Sequence, residues 1–419
     1  MILENVPRYD MRKKPMSQRW YLRPLTWILS FPEVKKNHLK VVKVNMEGLK
    51  PPYILLCTHH SFVDFKVTTA SLFPYPANYV VAIDGFLKRE ELLRNVGCIC
   101  KRKFTSDITL VKQIKYALEV NKTVVAIYPE ARYTLAGTTA ILPESLGKLV
   151  KLFKYPVVVL NMHGNHLLQP VWNLAKRKVP LTADMTQIIT KDEMLSLSLE
   201  DINHRISKAF IYDEYQWQRD HNIHIDFPKR AEGLHHVLYQ CPHCLTEHEM
   251  DSKDDELWCR HCDKHWKMDT LGQLHATIGE TKFSHIPDWY EFERSQVRKQ
   301  IEEGTYHFQD RVVVDALPNA NGYIRLGEGL LVHDMNGFQL SGHFDGQDFL
   351  LQKEPLSMYS AHIEYDYFGK GDCIDLSTLD DTYYIYPLNQ KNVVTKLHFA
   401  TEELYKIAHS KQQELIQKR

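Results

Sequence analysis

The 419-residue chain is 44% hydrophobic and 25% charged, the composition of a globular protein of about three domains and not of a disordered or fibrous one. Lys plus Arg and Asp plus Glu balance at 52 each, so no chain-wide basic field marks a nucleic-acid binder, and nucleic acid is not an expected partner. The charge is uneven, however, because residues 1–50 hold eleven Lys and Arg against four Asp and Glu. Inside that basic stretch, Trp20 to Phe31 mixes Trp20, Tyr21, Leu22, Leu25, Trp27, Ile28 and Leu29 with arginines. Broken by Arg23 and Pro24, it is too short to span a bilayer. It reads either as a helix or turn lying in the interface of an anionic membrane, or as a helix packed on its domain with a solvated basic face. No secretory signal is expected, since no uninterrupted apolar core follows the basic start.

Next along the chain, Tyr53 to Cys57 reads as a buried strand and Asp64 to Leu72 as a helix. His59 and Asp64 therefore bracket a strand-to-helix turn. An imidazole there can take a proton from a hydroxyl while a carboxylate on its other nitrogen fixes the tautomer; the alternative is an ordinary helix-capping Asp near a partly exposed His. Thr105 or Ser106 can cap a helix through Val120, with Ile108, Val111, Ile114 and Leu118 at helical spacing. Val124 to Tyr128 reads as a strand carrying Glu130 in the loop at its carboxyl end. Glu144 to Phe153 follows as a helix, and Pro156 to Asn161 as another strand. This alternation implies parallel strands with helical crossovers, whose sites gather at strand carboxyl ends. Cys57, Cys98 and Cys100 sit in apolar runs and read as buried structural cysteines.

Four blocks in this half carry a family resemblance: Thr58-His59-His60-Ser61-Phe62-Val63-Asp64; Gly97-Cys98-Ile99-Cys100-Lys101-Arg102; Tyr128-Pro129-Glu130-Ala131-Arg132; and Tyr155-Pro156-Val157-Val158-Val159-Leu160 leading to His163-Gly164. In this order they resemble the glycerolipid acyltransferase family, which includes 1-acylglycerol-3-phosphate O-acyltransferases, over roughly residues 40–175. The first block is similar to the family's Asn-His-x-Ser-x-x-Asp with Thr58 for Asn, and the third to Phe-Pro-Glu-Gly-Thr-Arg. The resemblance implies His59 and Asp64 as catalytic, Ser61 and Glu130 as substrate-binding, and Arg102 and Arg132 as ligands of an acceptor phosphate. In ungapped register both arginines fall one place early, with Lys103 and Tyr133 in the family's slots and Lys101 and Lys103 as competing phosphate ligands. The chemistry so implied is transfer of a fatty acyl chain from acyl-CoA or acyl-carrier protein, with no organic cofactor, to a hydroxyl of a lysophospholipid, foremost 1-acylglycerol-3-phosphate. His59 would accept the hydroxyl proton and Asp64 would support the charged ring, with no covalent acyl-enzyme. An enzyme of this kind must reach a membrane surface, so the expected location is cytoplasmic and peripheral, on the inner face of the membrane.

Residues 176–235 read as helices that complete the first domain, among them Leu199 to Phe210. Cys241-Pro242-His243-Cys244 and Cys259-Arg260-His261-Cys262 then form two Cys-x-x-Cys knuckles with the spacing of a zinc ribbon. Four thiolates from Cys241, Cys244, Cys259 and Cys262 close a tetrahedral site of the structural zinc type, the alternatives being a redox dithiol or an iron centre, and His243, His248, His261 and His265 are read as bystanders. Trp289 to Glu302 reads as a linking helix. From about Tyr306 the texture changes to short runs: Arg311 to Val314, Gly327 to His333, Phe349 to Gln352, Ser360 to Tyr367, Thr382 to Tyr386 and Val393 to Phe399. They are punctuated by Asn319-Ala320-Asn321-Gly322 and Gly369-Lys370-Gly371-Asp372. A last helix is capped at Thr401, with Leu404, Ile407, Ala408 and Leu415 on one face.

The expected architecture is α/β: an acyltransferase-type mixed sheet flanked by helices (1–235), a small four-cysteine zinc ribbon (236–270), a helical linker (271–304) and a β-rich domain ending in a helix (305–419), similar in pattern to a pleckstrin-homology-like barrel. The competing function is a catalytically lapsed acyltransferase fold that binds lipid or protein through its ribbon and C-terminal domain.

Overall fold

The apolar runs of the first half become the strands of one sheet. In the computed structural model, which describes residues 2–417, the chain order is Arg23–Lys36 (α1), Lys40–Val44 (β1), Ile54–Cys57 (β2), Asp64–Leu72 (α2), Ala77–Ala82 (β3), Glu90–Asn95 (α3), Ile99–Lys101 (β4), Ile108–Glu119 (α4), Val124–Ile127 (β5), Ser145–Phe153 (α5), Val157–His163 (β6), Asn165–Leu168 (α6), Thr182–Ile189 (β7), Glu193–Ser196 (α7), Leu199–Ala209 (α8) and Glu214–Asp220 (α9). The seven strands lie in the order β1-β7-β6-β2-β5-β3-β4. All neighbours run parallel except β6 and β7. Strand β2 is central and wholly buried. Its Ile54 and Leu56 pack with Val125, Ile127, Val157 and Val159 against Ile114 and Leu118 of α4, Val150 of α5 and Ile206 of α8. Each such side chain contributes about 1.5–3 kcal/mol on burial. A one-residue slip of β2 would move Ile54 and Leu56 to the opposite face of the sheet and misdirect the turn that follows.

Three expectations change in this unit. The stretch 176–235 is not all helical: β7 pairs with β1 and β6, and burial of alternate residues along Thr182 to Met185 is the strand's own signature. The cap of α4 is Asp107, whose carboxylate accepts from the Thr109 amide at 2.7 Å; Thr105 instead donates to the Arg102 carbonyl. Helix α1 is inverted, with Thr26, Ser30 and Val34 buried and Tyr21, Leu25, Ile28 and Leu29 exposed on and just before it.

Contacts divide the chain into two compact units: Asp10–Lys101 with Ser106–Ile223, described above, and a second made of residues up to Tyr9, Arg102–Thr105 and everything from His224 onward. The division thus falls at Ile223 and not at 235, because the next residues pack on the cysteine-bearing sheet: the Ile225 amide donates to the Thr270 carbonyl and Arg230 pairs with Asp255. That small antiparallel sheet has the order β11-β10-β9-β8, from Met250–Lys253 (β8), Glu256–Cys259 (β9), His265–Met268 (β10) and Leu274–Ala276 (β11). Helix Ile286–Glu302 (α10) leads into a second seven-stranded sheet, antiparallel throughout. Its strands are Phe308–Leu317 (β12), Ile324–Asp334 (β13), Gly337–Phe344 (β14), Gln347–Lys353 (β15), His362–Glu364 (β16), Cys373–Ser377 (β17) and Thr382–Pro387 (β18), in the order β15-β14-β13-β12-β18-β17-β16. Helix Val394–Gln417 (α11) closes the described chain. The run Val393 to Phe399 therefore opens a helix and is not a strand, and Thr401 lies inside that helix, donating to the Leu397 carbonyl at 2.8 Å.

Candidate functional site

Strand β2 ends at Cys57, and the chain turns so that the next seven residues wrap one carboxylate. Asp64 Oδ2 accepts from the amides of His60 (2.6 Å) and Ser61 (3.0 Å) and lies 2.9 Å from His59 Nδ1. Its Oδ1 accepts from Asn165 Nδ2 at 2.8 Å. A carboxylate can only accept here, so His59 carries its proton on Nδ1 and leaves Nε2 as the acceptor. The capping alternative does not describe this Asp: it opens α2, but its donors precede it in the chain and none belongs to the helix. The pair is asymmetric in exposure, with the His59 side chain 21% accessible and that of Asp64 1%. The imidazole is bounded by Tyr128 and Tyr133, ring centroids 4.6 and 4.2 Å away, and exposed Phe62 packs on Tyr133 at 5.1 Å.

The neighbouring His60 shows what distinguishes a base from a core histidine. It is fully buried against Tyr212, its ring nitrogens have no hydrogen-bond partner, and burial pushes its pKa down to about 3. It stays neutral at ordinary pH, whereas His59 meets both a carboxylate and the surface.

The expected substrate ligands are placed differently. Glu130 is 1% exposed; Oε2 accepts from the His59 amide at 2.7 Å, and Oε1 from the Ala140 amide and the Tyr212 hydroxyl, each at 2.9 Å. Burial pushes its carboxyl up against the pull of those donors and of Arg132. Glu130 thereby fixes the backbone of His59. Ser61 is buried too and donates to the Asn165 carbonyl at 3.0 Å. Arg132 is buried beside Glu130 and donates to the Tyr133 carbonyl. Arg102 belongs to the other unit, where its guanidinium donates to the carbonyls of Leu317 and Pro318 and to the Thr382 hydroxyl at 2.8–3.0 Å. Lys103 lies there as well, 3.1 Å from Asp375 and within reach of His362. Of the first-block residues only His59 and Phe62 reach the surface, and of the third-block residues Tyr128 and Ala131 are partly exposed.

Sequence reasoning missed Asn165 and Tyr212, as well as a second imidazole–carboxylate pair in which His163 Nδ1 lies 3.0 Å from buried Glu214. Burial would lower the His163 pKa, but the bond and charge of Glu214 raise it. Asn165 had a local signal, a polar residue just after the Gly164 turn that ends the fourth block. Tyr212 and Glu214 had none, being distant in sequence from everything they hold.

The four knuckle cysteines come together beside the small sheet. All four sulfurs lie within 4.8 Å of one another, with Cys241–Cys262 and Cys244–Cys259 each at 3.7 Å. Sulfurs placed 2.3 Å from a central zinc would sit on tetrahedral edges of about 3.8 Å. The donor set therefore fits a closed four-thiolate metal site. Among the described residues no helix is long and apolar enough to cross a membrane.

No family model matches the chain, and no curated protein matches it. Among solved structures it is similar to the 1-acyl-sn-glycerophosphate (LPA) acyltransferase PlsC from Thermotoga maritima, at 13% identity over 45% of this chain and 77% of that one, with a TM-score of 0.37.

Proposed function

We propose that the chain is an O-acyltransferase that moves a fatty acyl group from an acyl thioester, acyl-CoA or acyl-carrier protein, to a hydroxyl of a lysophospholipid, with 1-acylglycerol-3-phosphate the first acceptor to test. The observation that carries this reading is the His59–Asp64 pair, in which Nδ1 is held by a buried carboxylate while the His59 side chain stays 21% accessible. His59 Nε2 takes the hydroxyl proton as the oxygen attacks the thioester carbon. The carbon–oxygen bond forms, the carbon–sulfur bond breaks, and the proton passes to the departing thiolate. The remaining rate enhancement comes from holding both substrates in line, worth on the order of 7–11 kcal/mol at best.

The inverted face of α1, with exposed Trp20 just before it and Lys35 and Lys36 in its last turn, supports a peripheral membrane location. We assign structural zinc to Cys241, Cys244, Cys259 and Cys262 on the tetrahedral spacing of their sulfurs. We read the C-terminal sheet as pleckstrin-homology-like, because two runs of consecutive hairpins flank β12 and a helix follows.

The burial of Arg102, Lys103 and Arg132 in other contacts favours a second reading, in which the acceptor lacks a phosphomonoester or catalysis has lapsed. One experiment separates these: labelled acyl transfer from both donors to lysophospholipids of varied headgroup in anionic vesicles, comparing the parent with His59→Ala and Leu29→Asp. Transfer abolished by His59→Ala and weakened by Leu29→Asp only when vesicles present the acceptor is expected. The headgroup preferred names the acceptor. A parent inert towards the whole panel overturns the enzyme reading.

A further inference from the structure

We propose that Asn165 is the residue that positions the His59–Asp64 pair, an inference resting on the acyltransferase reading for its kinetic consequence but not for its geometry. Asn165 is fully buried and ties two parts of the first block at once. Its side-chain amide donates to Asp64 Oδ1 at 2.8 Å, and its own carbonyl accepts from Ser61 Oγ at 3.0 Å. The amide orientation follows from chemistry: turned over, its oxygen would face the carboxylate oxygen. The orientation leaves Asn165 Oδ1 buried with no donor to satisfy it, an unfavourable state that the contact with Asp64 offsets.

The turn that delivers Asn165 is itself constrained. Gly164 adopts φ +86°, and a Cβ there would meet the Pro180 carbonyl oxygen at 2.4 Å, so only glycine fits. Glu214, wholly buried, accepts from the Gly164 amide at 2.7 Å and fixes the turn from the other side. A line of contacts therefore runs from Glu214 through Gly164 and Asn165 to Asp64 and His59. Without the Asn165 amide, Asp64 keeps three donors on Oδ2 and loses the one on Oδ1, so the plane of its carboxylate is less firmly fixed against the imidazole.

The test uses the full-length protein labelled with 15N-histidine. In the parent, the His59 Nδ1 proton is expected as a downfield resonance, assigned by its loss in His59→Ala. In Asn165→Ala that resonance should shift or broaden, while kcat falls roughly 10- to 100-fold with KM within about twofold, the signature of misaligned chemistry. Should Asn165→Ala fail to fold, Asn165→Ser keeps a donor on the same Cβ and is expected to show a smaller change in the same resonance. An unmoved resonance with unchanged kcat in a folded variant would overturn the positioning role. A parent without transfer activity would sink the acyltransferase reading alone, since the resonance still reports the geometry.

Discussion

The His59–Asp64 turn and the four-cysteine cluster are both drawn from short sequence spacings, but they end in opposite states. The cluster turns all four sulfurs inward on one another, leaving no side of a bound ion open. The turn directs Asp64 inward, where four groups hold it, and leaves one edge of His59 outward. A closed set of ligands can serve folding; an open edge on a held ring can serve chemistry. The difference predicts that damage to the two regions will register in different measurements.

The largest effect should come from the cluster. Structural zinc in small domains contributes on the order of 10 kcal/mol of apparent folding free energy, and the sheet β8–β11 is too small to form a core without it. Protein purified without chelator should carry about one zinc per chain. Cys259→Ser, or prolonged chelation, should abolish amide-exchange protection across Met250 to Met268. Zinc well below that stoichiometry, or protection that survives chelation, would remove the metal from the account. His59→Ala should behave in the reverse way. A loss of roughly 10²- to 10⁴-fold in kcat is expected for a general base, with the melting temperature almost unmoved because the ring is partly exposed.

How far each region was legible follows from the range of its contacts. Strands β2 and β5, helix α2 and the cysteine knuckles could be read from the sequence because their determinants lie within a few residues. Helix α2 runs from Asp64 to Leu72 as its pattern implied. The supports of the turn could not be read so, because Asn165, Glu130 and Tyr212 lie 101, 71 and 153 positions from the residues Asp64, His59 and His59 whose placement they serve, directly or through Glu130. The basic residues after β4 illustrate the same limit. Arg102 and Lys103 looked like phosphate ligands by local motif, and their fate was decided by Leu317, Pro318, Thr382 and Asp375, more than two hundred residues away. Strand β7 was hidden for another reason: Thr182 to Ile189 is only partly buried, so its alternation is weak.

A smaller effect separates His59 from the buried histidines around it. His60 and His166 both have pKa values pushed down to about 3 by burial, with Asp64 opposing the shift at His60 and Arg177 adding to it at His166. Their folded values lie below the unfolded value of about 6.5, so neither affects stability above that pH. As pH falls through 6.5 the unfolded chain takes up protons that the folded one refuses, and each residue then costs about 1.4 kcal/mol per pH unit, or about 2 kcal/mol at pH 5. The urea midpoint should therefore decline from pH 6.5 downward, and His60→Phe should remove His60's own share of that decline. An equal slope in parent and variant would mean that His60 is hydrated and titrates normally.

The smallest effect lies in the turn itself, at the residue after Glu130. Ala131 adopts φ +56°, a left-handed conformation that costs an L-residue with a Cβ about 1–2 kcal/mol. The strain persists because Glu130 on one side and Arg132 on the other are both held in the interior, which leaves the intervening residue no other path. Glycine would remove the steric term but would enlarge the conformational freedom of the unfolded chain by about 0.5–1 kcal/mol. The two terms oppose, so Ala131→Gly should raise stability by about 0–1.5 kcal/mol, seen as a small rise in urea midpoint at unchanged slope. A destabilised variant would show that the Ala131 methyl makes contacts worth more than its strain, and that the loop holding His59 depends on packing as well as on the Glu130 hydrogen bonds.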